Sequence, residues 1–335
     1  MNRKIAILGS GTWGTAIANM LAIHHHQVTL FSTFKEETDA LKANKKHPHL
    51  DCELSEDIYY TNDIKEACES KDIVVFASPS LYIRAMVERA KPYLSRNSVL
   101  VTVAKGIEPD TLFFMSEIIE DVLGDGYRVV ALSGPTHAEE VAICLPTLIV
   151  SASEDEGAAK LVQETFSNET LRVYTNDDIR GVELCGALKN IVALAAGMSE
   201  GLGYGDNAKA ALITRGLAEI TRLGEALGCD ESTFSGLAGI GDIVVTATSN
   251  HSRNHNAGVL LGQGYSLEET LQKIGMVVEG VNALEAAKQL EKKYQVELPI
   301  IDAIYDIIHD KLNVNEVLPK LFGRKAAHEN YKKAK

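Results

Sequence analysis

Apolar residues in the first half of the chain fall in short unbroken runs: "KIAIL" at 4–8, "QVTLF" at 27–31, "DIVVFA" at 72–77, "SVLVTVA" at 98–104, "RVVAL" at 128–132 and "TLIVSA" at 147–152. Between them the apolar positions recur at helical spacing, as in "SLYIRAMVERAKPYL" at 80–94. Runs that are apolar throughout suit strands covered on both faces, and their alternation with helices predicts right-handed crossovers and a mostly parallel sheet. "LRVYT" at 171–175 is the last strand expected. From Asp178 the pattern is helical, from "IRGVELCGALKNIVALAAGMSEGL" to "PIIDAIYDIIHDKL". The pattern predicts an α/β domain over residues 1–180 and an all-α domain over 181–335, with the charged tail from Gly323 fraying.

Directly after the first strand stands "GSGTWGTA", followed by the helix-forming run "TAIANMLAI". In a strand–turn–helix context, Gly9 permits a sharp turn, Gly11 lets the backbone approach a pyrophosphate, and Gly14 lets helix and strand pack closely. The helix amino end then faces the phosphates with unpaired N–H groups. The first domain therefore reads as a Rossmann-type dinucleotide site, with a bland strand-to-helix turn as the alternative. Sites built for NAD usually carry an acid at the end of the second strand. Here that strand runs out in "LFSTFK", where Ser32, Thr33 and Phe34 occupy the position and Thr33 is the expected contact. Lys35 supplies a counter-charge for a 2′-phosphate or is simply a solvated residue opening the next helix. NADP is favoured over NAD.

Composition changes the picture mainly by exclusion. The 335 residues hold 33 Lys plus Arg against 46 Asp plus Glu, a formal net charge of -13, so non-specific binding to nucleic acid or an anionic membrane is not expected. Any phosphate needs a local site. Cys52, Cys68, Cys144, Cys185 and Cys229 are odd in number, widely spaced and without a C-x-x-C pair, which fits a reducing cytoplasm. No signal peptide and no apolar run of membrane-spanning length are expected. The consecutive histidines at 24–26 point in different directions on either backbone geometry, so no metal site is expected there.

Four further stretches carry chemistry. "VTVAKGIEP" puts Lys105 just beyond a buried strand, at the carboxyl edge where open α/β sheets bind ligands. "ALSGPTHAEE" repeats the arrangement with Gly134 and Thr136, although Thr136 with Glu139 three positions on also reads as a helix capping box. In "ELCGALKNIVALAAGM", Lys189 and Asn190 interrupt an apolar helix; burial lowers a lysine pKa and fits it for proton exchange, whereas a lysine snorkelling along a narrow solvent stripe is the alternative. In "GLAGIGDIVVTATSNHSRNHNAG", Arg253 between Ser252 and Asn254 suits a small phosphorylated substrate, because the guanidinium fork binds two oxygens at once. Asp242 reads as a ligand for a substrate hydroxyl or as an N-cap.

Taken in order, "GSGTWGTA", "AKGIE", "SGPTHAEE", "GALKNIVALAAGMSEGLGYGDNAKAALITRGLAE", "LAGIGD", "SRNHNAG" and "VVEG" resemble the bacterial-type NAD(P)-dependent glycerol-3-phosphate dehydrogenase family over essentially the whole chain. The resemblance implies cytoplasmic interconversion of sn-glycerol 3-phosphate and dihydroxyacetone phosphate, supplying phospholipid synthesis, by a homodimer. It implies that Thr12, Trp13, Ala138, Val277, Glu279, Lys105 and Arg253 contact the cofactor along with the loop glycines. Lys189 becomes the proton acceptor, and Lys105, Gly134, Thr136, Asp242, Ser252, Arg253 and Asn254 surround the substrate with it. The segment "STFK" departs from the family, where many members carry His or Arg.

Overall fold

The computed structural model describes residues 2–325 and 329, so most of the tail from Gly323 lies outside the described residues. The strands are β1 (Lys4–Leu8), β2 (Gln27–Phe31), β3 (Tyr59–Thr61), β4 (Ile73–Phe76), β5 (Val99–Thr102), β6 (Arg128–Ser133), β7 (Thr147–Ala152) and β8 (Leu171–Asn176). They form one sheet in the order β3-β2-β1-β4-β5-β6-β7-β8. Every neighbouring pair is parallel except β6 and β7. The short edge strand β3 has only three residues and escaped the sequence reading. Seven helices flank the sheet: α1 (Thr12–Ile23), α2 (Lys35–Asn44), α3 (Ile64–Cys68), α4 (Ile83–Ala90), α5 (Met115–Leu123), α6 (Ala138–Ala142) and α7 (Glu156–Phe166).

The all-apolar strands are explained by two cores. Ile5, Ile7, Val28 and Leu30 face Ile17 and Leu21 of α1 on one side of the sheet. Ala6, Leu8, Phe31 and Phe76 face Ile83 and Val87 of α4 on the other. Strand order reverses between β1 and β4, because the chain leaves β1 toward β2 and later returns to the opposite side. A crevice at the carboxyl ends of strands flanking such a reversal is where open α/β sheets bind ligands.

After β8 the chain is helical: α8 (Ile179–Gly201), α9 (Asp206–Leu227), α10 (Glu231–Phe234), α11 (Asp242–Thr248), α12 (Arg253–Gly262), α13 (Leu267–Ile274), α14 (Glu279–Tyr294), α15 (Pro299–Ile308) and α16 (Val314–Phe322). They wrap α8, which is buried on almost every side. One expectation is corrected here: at 23 residues and a mean hydropathy of 1.3 over its most apolar 18-residue window, α8 is long and apolar enough to cross a bilayer. That window is wholly buried inside the protein, so the apolarity serves a core helix.

Close approach of α12 to α8 depends on glycines. A Cβ on Gly197 would lie 2.0 Å from the His255 carbonyl oxygen, and one on Gly258 would lie 2.2 Å from that of Leu194. Gly201 and Gly262 repeat the arrangement one turn on, against Val259 and Met198. The two backbones thus touch, and the start of α12 is brought beside the middle of α8.

Candidate active site

The glycine loop is built as the spacing predicts. Gly9 has φ +133°, and a Cβ there would lie 2.8 Å from backbone atoms of Ala77 at the end of β4. A Cβ on Gly14 would sit 2.1 Å from the Gly9 carbonyl oxygen, so α1 is pressed against its own loop. Gly11 faces open space. The Thr12 hydroxyl in the first turn of α1 is buried without a hydrogen-bond partner among the described residues. An open glycine, an unpaired buried hydroxyl and a helix amino end fit a pyrophosphate. Trp13 packs against the small apolar cluster of Ala16, Leu50, Ala138 and Ala142, so Trp13 and Ala138, far apart in sequence, belong to one apolar patch.

The end of β2 is more structured than its sequence suggests. The Ser10 and Ser32 hydroxyls both donate to one carboxylate oxygen of Glu37, at 2.5 and 2.6 Å. The hydroxyl of Thr33 accepts from Arg89 Nη1 at 3.0 Å. Lys35 makes no side-chain hydrogen bond or ion pair to the described residues. Neither Glu37 nor Arg89 was singled out in the sequence; Arg89 comes from α4, and no local pattern links it to β2.

The second half of the site centres on Asp242, whose side chain is 1% exposed. Its two oxygens receive two lysines: Lys189 Nζ at 2.7 Å and Lys105 Nζ at 2.6 Å. Lys189 also donates to the Thr246 hydroxyl at 2.6 Å, and Lys105 to the Gly134 carbonyl at 3.2 Å. Lys189 sits mid-α8, 6% exposed, so it does not snorkel. Burial pulls its ammonium down to about 7; the Asp242 charge opposes that shift and the Lys105 charge adds to it. Two lysines on one carboxylate leave an uncompensated buried positive charge when both are protonated, and the more buried lysine is the one whose proton is held less tightly.

Asp242 reaches this position because Leu237–Gly241 forms a wide π turn, with Gly239 packed so closely that a Cβ would lie 2.0 Å from the Phe234 carbonyl oxygen. Two capping readings are overturned. Gly241, not Asp242, holds the cap position of α11, and the Asp242 carboxylate is committed to lysines instead. Thr136 does not cap α6: the helix begins at Ala138 with His137 at the cap and no side-chain capping bond, while the Thr136 hydroxyl donates to the Gly134 carbonyl at 3.0 Å. Gly134, at φ +140°, lets the loop turn against Ile149. Thr246 was missed, although its place one turn after Asp242 puts both on one helix face.

The "SRN" triplet divides. Ser252 caps α12, accepting from His255 N at 3.2 Å. Asn254 has scaffold bonds: its amide donates to Asn190 at 3.0 Å and its side-chain carbonyl accepts from Gly280 N at 2.8 Å, tying α8, α12 and α14 together. Arg253 is exposed and makes no hydrogen bond or ion pair to the described residues. Its guanidinium therefore stands free at a helix amino end, an arrangement that favours an anion. His137 and His251 meet there at 5.7 Å between ring centroids, a pair the sequence did not announce. Val277 is exposed just before α14, whereas the Glu279 carboxylate accepts from the Ser80 backbone N–H at 3.2 Å and the Ser80 hydroxyl at 2.7 Å. That contact joins the segment after β4 to the first turn of α14. The histidine run at 24–26 is used otherwise: His26 accepts a hydrogen bond from the Arg3 backbone.

Comparison with known proteins points to one family over both halves of the chain. Residues 4–159 match the pattern described as the NAD-dependent glycerol-3-phosphate dehydrogenase N-terminus, and residues 178–319 match that of its C-terminus. The chain is 50% identical over 332 residues to "Glycerol-3-phosphate dehydrogenase [NAD(P)+] 2" of Lactobacillus delbrueckii subsp. bulgaricus, covering 97% of this chain and 98% of that one. It is 48% identical over 333 residues to the Bacillus subtilis "Glycerol-3-phosphate dehydrogenase [NAD(P)+]", covering 98% and 96%. The crystal structure of glycerol-3-phosphate dehydrogenase from Coxiella burnetii superposes with a TM-score of 0.92 at 36% identity, covering 96% of this chain and 99% of that one. With matches to both halves of the molecule and near-complete relatives at this identity, the chain belongs to the NAD-dependent glycerol-3-phosphate dehydrogenase family.

Proposed function

We propose that the chain interconverts sn-glycerol 3-phosphate and dihydroxyacetone phosphate with NADP or NAD, NADP being favoured, and that Lys189 is its proton-transfer group. The observation that carries this reading is the buried Lys105–Asp242–Lys189 chain, in which Lys189 holds a pKa near 7. Bound in the crevice, the nicotinamide supplies hydride exchange at carbon 2 of the substrate. The neutral Lys189 amine accepts the carbon 2 hydroxyl proton in oxidation, and its ammonium returns a proton to the oxygen in reduction. Asp242 and Thr246 hold Nζ in place. Lys105 stabilises negative charge on the same oxygen, and Arg253 at the start of α12 anchors the phosphate.

The wider reading is of a cytoplasmic homodimer that supplies phospholipid synthesis, with no nucleic-acid or membrane partner. Residues 1–180 serve as the cofactor domain and 181–335 as the substrate domain. The test follows reduced-nicotinamide absorbance on adding dihydroxyacetone phosphate, with NADPH and NADH in parallel and unphosphorylated dihydroxyacetone as control. Phosphate-dependent oxidation is expected. Equal rates with the unphosphorylated ketone would overturn the role of Arg253, and no oxidation with either cofactor would overturn the reaction.

A further inference from the structure

The loop following β2 is flanked by two opposite charges that the reaction chemistry does not use, Glu37 of α2 and Arg89 of α4. Thr33 lies two residues beyond Phe31, and the Phe31 carbonyl accepts from Gly9 N at 3.0 Å, so the loop abuts the glycine turn directly. In a dinucleotide site of this topology, the corner between the glycine turn and the end of the second strand receives the adenosine ribose. Its backbone is well held: Ser32 N donates to the Thr61 carbonyl at 3.2 Å, and the Asn62 amide donates to the Ser32 carbonyl at 2.9 Å.

On one side of this corner Arg89 arrives from α4, its guanidinium carbon 5.6 Å from the centre of the Phe31 ring and Nη1 on Thr33. The ring and the hydroxyl fix the plane of the guanidinium. One of its five N–H donors is used, and the rest are free of the described residues. On the other side Glu37 is held by Ser10 of the glycine turn and Ser32 of the strand end through the same oxygen, which leaves its second oxygen available. A fixed cation with spare paired donors suits a 2′-phosphate, whereas a fixed carboxylate accepts from ribose hydroxyls and repels that phosphate.

We propose that Arg89 and Glu37 form a two-way selector at the ribose corner, Arg89 recognising the 2′-phosphate of NADP and Glu37 the free ribose hydroxyls of NAD. This assigns to Arg89 the role that sequence spacing offered to Lys35. It rests on the reading that the dinucleotide lies in the β1–β4 crevice.

The test compares Arg89→Ala, Arg89→Lys and Glu37→Gln with the parent enzyme. The readouts are the ratio of kcat/KM for NADPH to that for NADH, and inhibition by adenosine 2′,5′-bisphosphate against ADP. Loss of a charge-assisted contact lowers the NADPH/NADH ratio in Arg89→Ala by about tenfold or more, and weakens the bisphosphate by a similar factor relative to ADP. Arg89→Lys keeps the charge without the fork and falls between Arg89→Ala and the parent. Glu37→Gln retains acceptance from both serines, removes the repulsion and raises the ratio. Equal losses with both cofactors in Arg89→Ala, with an unchanged ratio in Glu37→Gln, would mean that both side chains only support the fold and would overturn the selector. A parent enzyme inhibited by neither adenosine compound would overturn the crevice reading beneath it.

Discussion

Lys189 shows how a single side chain acquires chemistry from its surroundings. A lysine in water is almost fully protonated at neutral pH; burial in α8, helped by the Lys105 charge and opposed by Asp242, brings this one to about 7. Because the amine accepts a proton only when neutral, turnover in the oxidation direction rises with pH through about 7, and in the reduction direction it declines above that value. Both limbs are read from pH–rate profiles at saturating substrate. Lys189→Ala lowers kcat by roughly 10²–10⁴-fold while cofactor binding, followed by fluorescence titration, changes little; full activity in that variant would end the proton-transfer assignment. Arg253→Ala, in contrast, raises KM for dihydroxyacetone phosphate about tenfold or more with a smaller change in kcat, since its guanidinium has no partner among the described residues to lose.

At the scale of elements, buried acids and glycines set where helices begin and how closely they pack. Glu183 on α8 takes the Ser116 backbone N–H at 3.0 Å in the first turn of α5, and Glu219 on α9 takes the N–H groups of Ile300 and Ile301 at the start of α15. Burial pushes these carboxyls up, to about 8 for Glu183 and about 7 for Glu219. The folded chain therefore keeps protons that the unfolded chain releases from about 4.5 upward, and both groups lower stability as pH rises from there toward 7–8. Glu183→Gln preserves the partners and flattens part of that slope in urea melts at successive pH values, whereas Glu183→Ala costs about 1–3 kcal/mol by orphaning the Ser116 donor. Gly258→Ala forces α12 off α8, costs about 1–3 kcal/mol, and raises the substrate KM because Arg253 rides on the same helix.

For the molecule as a whole, the candidate active site forms where the carboxyl edge of the sheet meets the helical half. Lys105 follows β5, Lys189 lies in α8 and Asp242 opens α11, so three distant segments converge on one carboxylate. Ser80 and Glu279 make a second link across the same junction. Glu279→Ala leaves two Ser80 donors unpaired, and is expected to lower the melting temperature and raise KM for cofactor and substrate together. Ser80→Ala removes one of the two bonds and reproduces the direction with smaller size. If Glu279→Ala raises only the cofactor KM and Ser80→Ala changes nothing, the glutamate acts on the cofactor directly and the junction is held by other contacts.

Much of this protein was decided along the chain itself. Unbroken apolar runs suit strands buried on both faces, glycines at 9, 11 and 14 fit a tight strand–helix turn, and a lysine amid the apolar residues of α8 marks a polar interruption whose burial the fold then settled. These signals are local, because each rests on periodicity or on one residue's steric and electrostatic needs. Tertiary structure decided the rest. It committed the Asp242 carboxylate to two lysines rather than to a cap, tied Asn254 to Asn190 and Gly280, turned β7 against β6, and brought Arg89 and Glu37 to the end of β2, where the sequence pointed to Lys35. The physical reason is that a side chain's charge state and partners depend on what the fold places within a few ångströms of it, and those neighbours come from segments that carry no trace of one another in sequence.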